Sequence, residues 1–235
     1  MASSLMARLV RPGGWLDFVL PPLCSGCGEY TEEGSFVCTA CQGLIQTISE
    51  PSCLKCGSAN IAKRECPVCK RDSFLLYAFG EYRDPLREII IQLKFKGVTV
   101  QIDDLAERVC AQFGDRLALY EGALLVPIPL HSSRQHSRGY NQASLFAREL
   151  SKRLDLDVDE ELLYRVEKRK PQTKLQVRER EANITGVFAV SEDVEPAARI
   201  ILVDDVVTTG HTVGEAKRQL ERSGHHVCAV IAMAR

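Results

Sequence analysis

Two adjacent carboxylates and a group of threonines near the C-terminal end of the sequence have the types and spacing of a ligand site. Asp204 and Asp205 follow an apolar run at residues 200–203 and precede the segment Thr208-Thr209-Gly210-His211-Thr212. Paired carboxylates accept hydrogen bonds from vicinal hydroxyls or hold a divalent cation. Small hydroxylated residues that open a helix suit a phosphate, because free backbone N–H groups and the positive end of the helix dipole converge there. A sugar phosphate meets both requirements.

The cysteines form a second chemical pattern, in the N-terminal third of the chain. Eight of the ten occur as Cys-x-x-Cys pairs: Cys24/Cys27, Cys38/Cys41, Cys53/Cys56 and Cys66/Cys69. This spacing predicts two structural zinc sites of four thiolates each. Sequential sharing of the pairs is the simpler arrangement, and a cross-braced one stays open. The competing interpretation, disulfides, would need an oxidising compartment that nothing in the sequence indicates.

Composition and charge limit the classes of function. A chain of 235 residues allows one α/β domain and a small module, and the net charge of −1 gives no global nucleic-acid signature. No apolar run approaches the roughly 20 residues that span a bilayer. The segment at residues 16–23 is interrupted by Asp17, Pro21 and Pro22, so we expect no signal peptide. The sequence therefore predicts a cytoplasmic protein without a membrane span.

Apolar periodicity predicts alternating strands and helices beyond residue 74. Strands are predicted at residues 75–82, 123–126, 186–190, 200–203 and 227–233, and helices near 86–93, 103–117, 143–154 and 213–220. Such alternation is typical of a parallel sheet flanked by helices. We expect the strand at 186–190 to return the chain to that sheet.

Basic residues lie at positions that this order brings near the carboxylates. Arg134 and Arg138 follow the strand at 123–126 and should lie at the carboxyl edge of the sheet, where ligands of α/β proteins bind. Lys94 and Lys96 end a predicted helix. There they are expected to complement the helix dipole, although contact with an anionic substrate stays open.

The acidic and threonine-rich segment resembles the phosphoribosyl pyrophosphate (PRPP) motif of type I phosphoribosyltransferases. The resemblance implies that Asp204 and Asp205 hold the ribose hydroxyls, with Mg²⁺ accompanying PRPP, and that Arg134 and Arg138 face the pyrophosphate. It further implies that the 5′-phosphate is surrounded by Val207, Thr208, Thr209, Gly210, His211 and Thr212. An ordinary strand–loop–helix, the alternative, would not require both acids and three threonines in this order.

Further segments resemble the competence protein F (ComF) branch of these proteins. They are Val126-Pro127-x-Pro129, Arg138-Gly139-Tyr140-Asn141-Gln142-Ala143, Thr173-x-x-Gln176, Arg180-x-x-Asn183 and Gly186-Val187-Phe188. The resemblance implies an N-terminal helical segment (1–23), a double zinc ribbon (24–72) and a type I phosphoribosyltransferase-like α/β domain (73–235). It also implies a hood over the site that contains Lys174, Arg178 and Arg180. A solvated charged loop is the alternative interpretation of this basic segment.

Two functions follow from the resemblance. The first is a PRPP-binding protein of DNA uptake and natural transformation, with single-stranded DNA and proteins of the competence machinery as partners. The second is a Mg²⁺-dependent phosphoribosyltransferase that releases pyrophosphate, for which the sequence identifies no acceptor. Lys63, Arg64, Lys70 and Arg71 in the second zinc unit predict a small basic face for DNA phosphates, and scattered surface charge is the alternative. Residues 53–72 contain no aromatic residue, so base stacking is not expected there.

Overall fold

The computed structural model describes residues 23–31, 36–62, 65–95, 99–166, 186–191 and 198–235, so most of the predicted N-terminal helix lies outside the described residues. Six helices of this part are α1 (Thr39–Leu44), α2 (Leu86–Phe95), α3 (Gln101–Leu117), α4 (Ser132–Arg138), α5 (Gln142–Leu154) and α6 (His211–Arg222). Its strands are β1 (Ser52–Cys53), β2 (Leu75–Gly80), β3 (Leu124–Pro127), β4 (Leu163–Arg165), β5 (Phe188–Val190), β6 (Arg199–Val206) and β7 (His226–Ala234). None of the described helices has the length and apolarity needed to cross a membrane.

A five-stranded sheet in the order β1-β2-β7-β6-β3 forms the centre of the protein. The strands β2, β7, β6 and β3 are parallel, and the short β1 is antiparallel to β2. The four parallel strands therefore end at one edge, at Gly80, Ala234, Val206 and Pro127. This architecture confirms the predicted fold class, a parallel sheet flanked by helices and preceded by a cysteine-rich zinc module.

Both faces of the sheet are buried, which explains why its strands are continuous apolar runs. In β6, Ile201 and Val203 face one apolar cluster, which includes buried residues of α3 and α5. Ile200 and Leu202 face a second cluster, which includes the inner stripe of α6. Successive side chains of a strand point to opposite faces, so β6 joins the two cores.

The predicted strand at residues 186–190 is not part of the main sheet. Phe188–Val190 pairs instead with Leu163–Arg165 in a separate two-stranded antiparallel sheet. Phe188 is buried, whereas Ala189 and Val190 are only half-buried. A central parallel strand needs burial on both faces, and this segment buries only one, so it covers the α6 side of the core.

A short helix replaces the predicted basic loop before α5. The Nδ1 atom of His131 accepts a hydrogen bond from the Ser133 N–H at 3.3 Å and caps the start of α4. Gly139, with φ of 75°, ends this helix in the left-handed conformation. The Asn141 side chain then caps α5 by accepting from the Ala143 N–H. The two caps therefore define where α4 and α5 begin.

The cysteine-rich segment is joined to the α/β sheet by more than the chain connection. Ser52 and Cys53 pair with Leu76 and Leu75, so the predicted boundary at residue 72 falls between two paired strands. Glu50, which lies just before β1, forms an ion pair with Arg116 of α3, with Oε1 and Nη2 2.8 Å apart. This contact also holds the cysteine-rich segment against the α/β domain. The zinc module therefore extends the sheet.

A fully buried carboxylate in α6 connects this helix to the two-stranded sheet. Oε1 of Glu215 accepts hydrogen bonds from the Gly186 N–H and from the Gln219 side chain, each at 2.9 Å, and Oε2 accepts from Arg218. Burial opposes its ionisation, but these donors together lower the pKa of Glu215 below its usual value. Glu215 therefore holds the residues that lead into β5 against α6.

We expect Glu215→Ala to lower the free energy of unfolding by about 2–3 kcal/mol, because it removes a buried carboxylate that accepts hydrogen bonds from Gly186, Gln219 and Arg218. Because the folded pKa is lowered, the contribution of the carboxylate is present at neutral pH and is lost as the pH falls through that pKa. Urea denaturation at two pH values measures both effects. Glu221→Ala, at an exposed position of the same helix, is the control and should cost no more than about 0.5 kcal/mol. Equal losses in the two variants would contradict the assignment.

Candidate functional site

A cavity of about 470 Å³ lies at the carboxyl edge of the parallel strands. It brings together residues that are far apart in the sequence. The acids come from the end of β6, the threonines from the loop before α6 and from α6, and the cations from α2, α4 and β4. The polar and charged residues that line it are Asp204, Asp205, Thr208, Thr212, Lys94, Arg134, Arg138, Arg165 and Tyr82.

The loop between β6 and α6 has the backbone that a bound phosphate requires. The buried Val207 fixes the start of the loop by donating its N–H to the carbonyl of Ala234 at 3.0 Å. Gly210, with φ of 75°, precedes the first helical residue, the exposed His211. The first N–H groups of α6 have no partner within the helix, and they point toward the loop. Thr208, Thr209 and Thr212 are exposed, so their hydroxyls are accessible to a ligand.

The two aspartates have different electrostatic environments. Oδ1 of Asp204 accepts a hydrogen bond from the Asp205 N–H at 2.8 Å. Burial and the neighbouring charge of Asp205 raise the pKa of Asp204 to about 8. Oδ1 of Asp205 lies 3.0 Å from Nζ of Lys94, and both side chains are less than one-fifth exposed. The environment of Asp204 therefore favours its protonated form, whereas Asp205 is in an ion pair.

Lys94 lines the cavity, although its sequence position favoured a role in complementing the helix dipole. It occupies the last turn of α2, as predicted, but its ammonium group contacts Asp205 and lies 5.9 Å from the centre of the Tyr82 ring. Only the order of the strands in the sheet could have indicated that Lys94 reaches the site. A helix that follows β2 can direct its last side chains to the site only if β2 is near β6, and the sequence does not give the order of strands.

Three arginines surround the other side of the cavity. The guanidinium of Arg138 stacks 4.9 Å from the Phe95 ring centre and donates to Oε1 of Gln142 at 3.1 Å. Burial and the charge of Arg134 lower the pKa of Arg165, whose guanidinium lies 5.6 Å from the Phe188 ring centre. With Lys94, the described residues that line the cavity include four basic side chains and two acidic ones. Such an excess of positive charge favours an anionic ligand.

Arg165 was not among the site residues that the sequence analysis singled out. It lies at the end of β4, before the segment that was predicted to form the hood. The hood residues Lys174, Arg178 and Arg180 lie outside the described residues. The assignment of these three to the hood stays a prediction.

The eight paired cysteines form two groups, and the pairing is sequential. Sulfur atoms of Cys24, Cys27, Cys38 and Cys41 lie within 4.8 Å of one another, and so do those of Cys53, Cys56, Cys66 and Cys69. Individual separations are 3.8 Å for Cys27–Cys38 and for Cys53–Cys69, and 3.5 Å for Cys56–Cys66. A tetrahedral zinc ion with bonds of about 2.3 Å separates its sulfurs by about 3.8 Å. Both groups therefore fit zinc, and four thiolates leave no coordination position for catalysis.

In each group, hydrogen bonds stabilise the thiolate form of one cysteine. Burial opposes ionisation of Cys24, but backbone N–H groups, among them those of Cys38 and Gly26 at 3.3 Å, lower its pKa to about 6. The Ser58 side chain, 3.1 Å away, is the main cause that lowers the pKa of Cys56 to about 6. Zinc binds the thiolate form, so each group offers a charged first ligand at neutral pH.

The fold and these two kinds of site define a class of protein. A parallel sheet with an acidic and threonine-rich loop at its carboxyl edge, joined to two four-cysteine zinc sites, is typical of a phosphoribosyltransferase-type domain preceded by a double zinc ribbon. The family profile of the double zinc ribbon domain matches residues 15–71.

Comparison with curated proteins identifies the family. The chain is 31% identical over 208 residues to competence protein F of Haemophilus influenzae, a match that covers 85% of the chain and 90% of that protein. It is 30% identical over 197 residues to competence protein ComFC of Bacillus subtilis, covering 80% and 79%. It is also 29% identical over 224 residues to the DNA utilization protein YhgH of Escherichia coli, covering 91% and 90%. The chain therefore belongs to the ComF family.

Solved structures with a related arrangement are phosphoribosyltransferases, at low similarity. Adenine phosphoribosyltransferase from Thermoanaerobacter pseudethanolicus is 18% identical with a TM-score of 0.34, and the match covers 64% of this chain and 73% of that one. Orotate phosphoribosyltransferase from Aeropyrum pernix is 19% identical with a TM-score of 0.32, and the match covers 62% of each chain.

The raised pKa of Asp204 has a consequence for stability. A carboxyl whose folded pKa exceeds its unfolded value favours the folded state at low pH, and this contribution is lost as the pH rises toward 8. We therefore expect Asp204→Asn to raise the free energy of unfolding at pH 8, because the asparagine has no ionised form whose burial opposes folding. The gain should disappear near pH 4. Denaturant unfolding across this pH range measures it.

Asp205→Asn is the matched control for this experiment. It removes the partner of the largely buried Lys94, so it should lower the free energy of unfolding at pH 8. If both variants were destabilised equally at pH 8, the asymmetry between the two acids would be wrong.

Proposed function

We propose that this protein acts in DNA uptake and binds PRPP in the cavity at the carboxyl edge of the sheet. The role in the cell is supported by the names of its relatives, competence protein F, ComFC and DNA utilization protein YhgH. The ligand is supported by one observation above all. Two carboxylates, a helix N-terminus with threonines and four cations line or border a single cavity.

Each part of PRPP has a complementary group in this cavity. The ribose hydroxyls donate hydrogen bonds to Asp204 and Asp205. The 5′-phosphate binds the amides and hydroxyls of the loop from Thr208 to Thr212. The pyrophosphate lies among Lys94 and the three arginines, whose charges neutralise it.

The carboxylates also suit a divalent cation. Asp204 and Asp205 are oxygen ligands of the kind that Mg²⁺ takes together with substrate phosphates. When bound, Mg²⁺ would supply charge that neutralises the pyrophosphate. A cation beside Asp204 favours its ionised form, so we infer that binding of ligand and metal releases a proton near neutral pH.

Isothermal titration calorimetry with PRPP and Mg²⁺ tests the proposal. Asp204→Asn combined with Asp205→Asn should weaken PRPP binding by roughly two orders of magnitude or more, because a hydrogen bond to a charged group contributes about 1.5–3 kcal/mol. The control is Asp104→Asn combined with Asp115→Asn, at exposed positions of α3. Both variants should retain about two zinc ions per chain. Unchanged PRPP affinity in the site variant would refute the binding mode.

Active transfer is the alternative function, and the four cations beside the two acids favour it. PRPP reacts at C1 of its ribose through a transition state of oxocarbenium character, and pyrophosphate leaves. Lys94, Arg134, Arg138 and Arg165 are suited to stabilise the charge that develops on that leaving group. Pyrophosphate release across a panel of bases and amines, lost in the Asp204 and Asp205 variant, would establish the enzyme.

Single-stranded DNA is the second ligand that we propose, and a basic surface at the opposite edge of the sheet supports it. Lys70 and Arg71 of the second zinc unit and Arg199 and His226, which begin β6 and β7, surround a cavity of about 210 Å³. Glu65 is also part of its wall. The sequence predicted Lys70 and Arg71 for this role, together with Lys63 and Arg64, which lie outside the described residues.

Neutralising Lys63, Arg64, Lys70 and Arg71 together to alanine should weaken binding of single-stranded DNA and flatten its dependence on salt. Each lost phosphate contact reduces the slope of log K against log salt by about 0.7. Fluorescence anisotropy with a labelled oligonucleotide at several salt concentrations measures the slope. Arg148→Ala combined with Lys152→Ala, at exposed positions of α5, should leave it unchanged. An unaltered slope in the fourfold variant would exclude this surface.

A further inference from the structure

We propose that Leu54 is a positioning residue for the phosphate loop, through which zinc in the second site and PRPP in the cavity stabilise each other. Leu54 lies inside the pair Cys53-x-x-Cys56, and the phosphate loop is residues 207–210. The inference rests on the proposed function, since it assigns to the same site a structural support that comes from the zinc module.

Leu54 is held on the side of the zinc turn that faces the α/β domain. Its N–H donates to the carbonyl of Phe74 at 2.8 Å, which continues the pairing of β1 with β2. Its half-buried side chain packs against the apolar cluster that contains Val207 and Val213. These two valines flank the phosphate loop and the first turn of α6.

The backbone at Gly210 lies close to the side chain of Leu54. A Cβ atom at Gly210 would lie 3.4 Å from Cδ2 of Leu54 and 3.8 Å from Cδ1, so the leucine methyls lie within about one methyl group of the loop backbone. A separate cavity of about 330 Å³ lies beside this contact, with Leu54, Gly57, Thr208 and Thr209 in its wall. The loop thus has open space next to it, and the contact with Leu54 limits its movement toward the zinc turn.

Zinc fixes the position of this leucine. The turn is closed by hydrogen bonds from the Gly57 N–H to the Cys53 carbonyl at 2.8 Å and from the Cys53 N–H to the Ser58 carbonyl at 2.7 Å. The four sulfurs lie within 4.8 Å of one another, a spacing that four thiolates maintain only with a cation between them. Without zinc the turn opens and Leu54 leaves the loop.

The first zinc site has a different neighbour, which makes it an internal control. A Cβ atom at Gly26, in its first turn, would lie 2.8 Å from Cβ of Pro85, and the Ser25 hydroxyl accepts from Gln101 of α3. These two contacts are with Pro85, which directly precedes α2, and with the first residue of α3. We therefore expect the first site not to respond to PRPP.

Coupling between two ligands is reciprocal. If zinc in the second site strengthens PRPP binding by some factor, PRPP strengthens zinc binding by the same factor. Couplings between two sites of one protein commonly amount to about five- to 150-fold. Because one half-buried leucine connects the two sites, we expect a coupling in the lower part of that range, roughly five- to tenfold.

The first experiment compares PRPP affinity among three variants of the full chain by calorimetry. Leu54→Ala should weaken binding roughly five- to tenfold, with both zinc ions retained. Leu54→Met, which conserves volume, should restore most of the affinity. Val68→Ala is the matched control, because Val68 occupies the other Cys-x-x-Cys pair of the same site and is 68% exposed. Equal affinity in the wild type and Leu54→Ala would overturn the proposal.

The second experiment reads each zinc site separately. Zinc is withdrawn with a chelator in the presence of a thiol-alkylating reagent, and mass spectrometry follows Cys27 and Cys56, the exposed ligands of the first and second sites. PRPP should slow labelling of Cys56 roughly five- to tenfold and leave Cys27 unchanged, and Leu54→Ala should abolish the protection. Equal protection of both cysteines, or of neither, would overturn the proposal.

Failure of the proposed function gives a different pattern. If calorimetry shows no PRPP binding to the wild type, PRPP is excluded as the ligand. Hydrogen exchange of the zinc-depleted chain then decides the structural link. Faster exchange in residues 207–213 of the wild type, but no further increase in Leu54→Ala, supports the link, and unchanged exchange there refutes it.

Discussion

Two neighbouring carboxylates at the end of a buried strand are the constraint on which the site depends. Asp204 and Asp205 repel each other, and the surrounding protein excludes much of the water that would screen them. The protein reduces this conflict by an environment that raises the pKa of Asp204 and by pairing Asp205 with Lys94. Replacing Asp204 alone by a neutral residue is expected to raise stability above neutral pH, so this acid is kept at a cost in stability, which a role in ligand binding would explain. A sugar with two adjacent hydroxyls, accompanied by a cation, satisfies both acids.

The local parts of this arrangement could be predicted from the sequence, because the information is contained in short segments. The apolar run of β6, the two acids and the threonines are contiguous, and they predicted a strand, a loop and a helix that the structure contains. The spacing of cysteines likewise predicted two groups of four. Sequential sharing was the simpler alternative, and the sulfur positions agree with it.

The non-local parts could not be predicted, for a physical reason. Lys94 and Arg165 reach the cavity only because β2 lies two strands from β6 and because β4 lies over the sheet with β5. Strand order is a property of the whole chain, and a lysine at the end of a helix has a sufficient local explanation in the helix dipole. Residues 186–190 were assigned to the main sheet because a short apolar run does not reveal which strand it pairs with.

The pairing of β1 with β2 has a consequence during synthesis of the chain. Leu75 pairs on one side with Cys53, which has already left the ribosome, and on the other with Ala229, which is translated much later. In the interval β2 is an apolar strand with an unsatisfied edge, a kind of segment that associates readily with other nascent chains. If the zinc-bound turn has formed before β2 is translated, β1 can pair with one edge of β2 as soon as β2 emerges. In zinc-starved cells the yield of this protein would therefore fall at the folding step, before any loss of ligand binding.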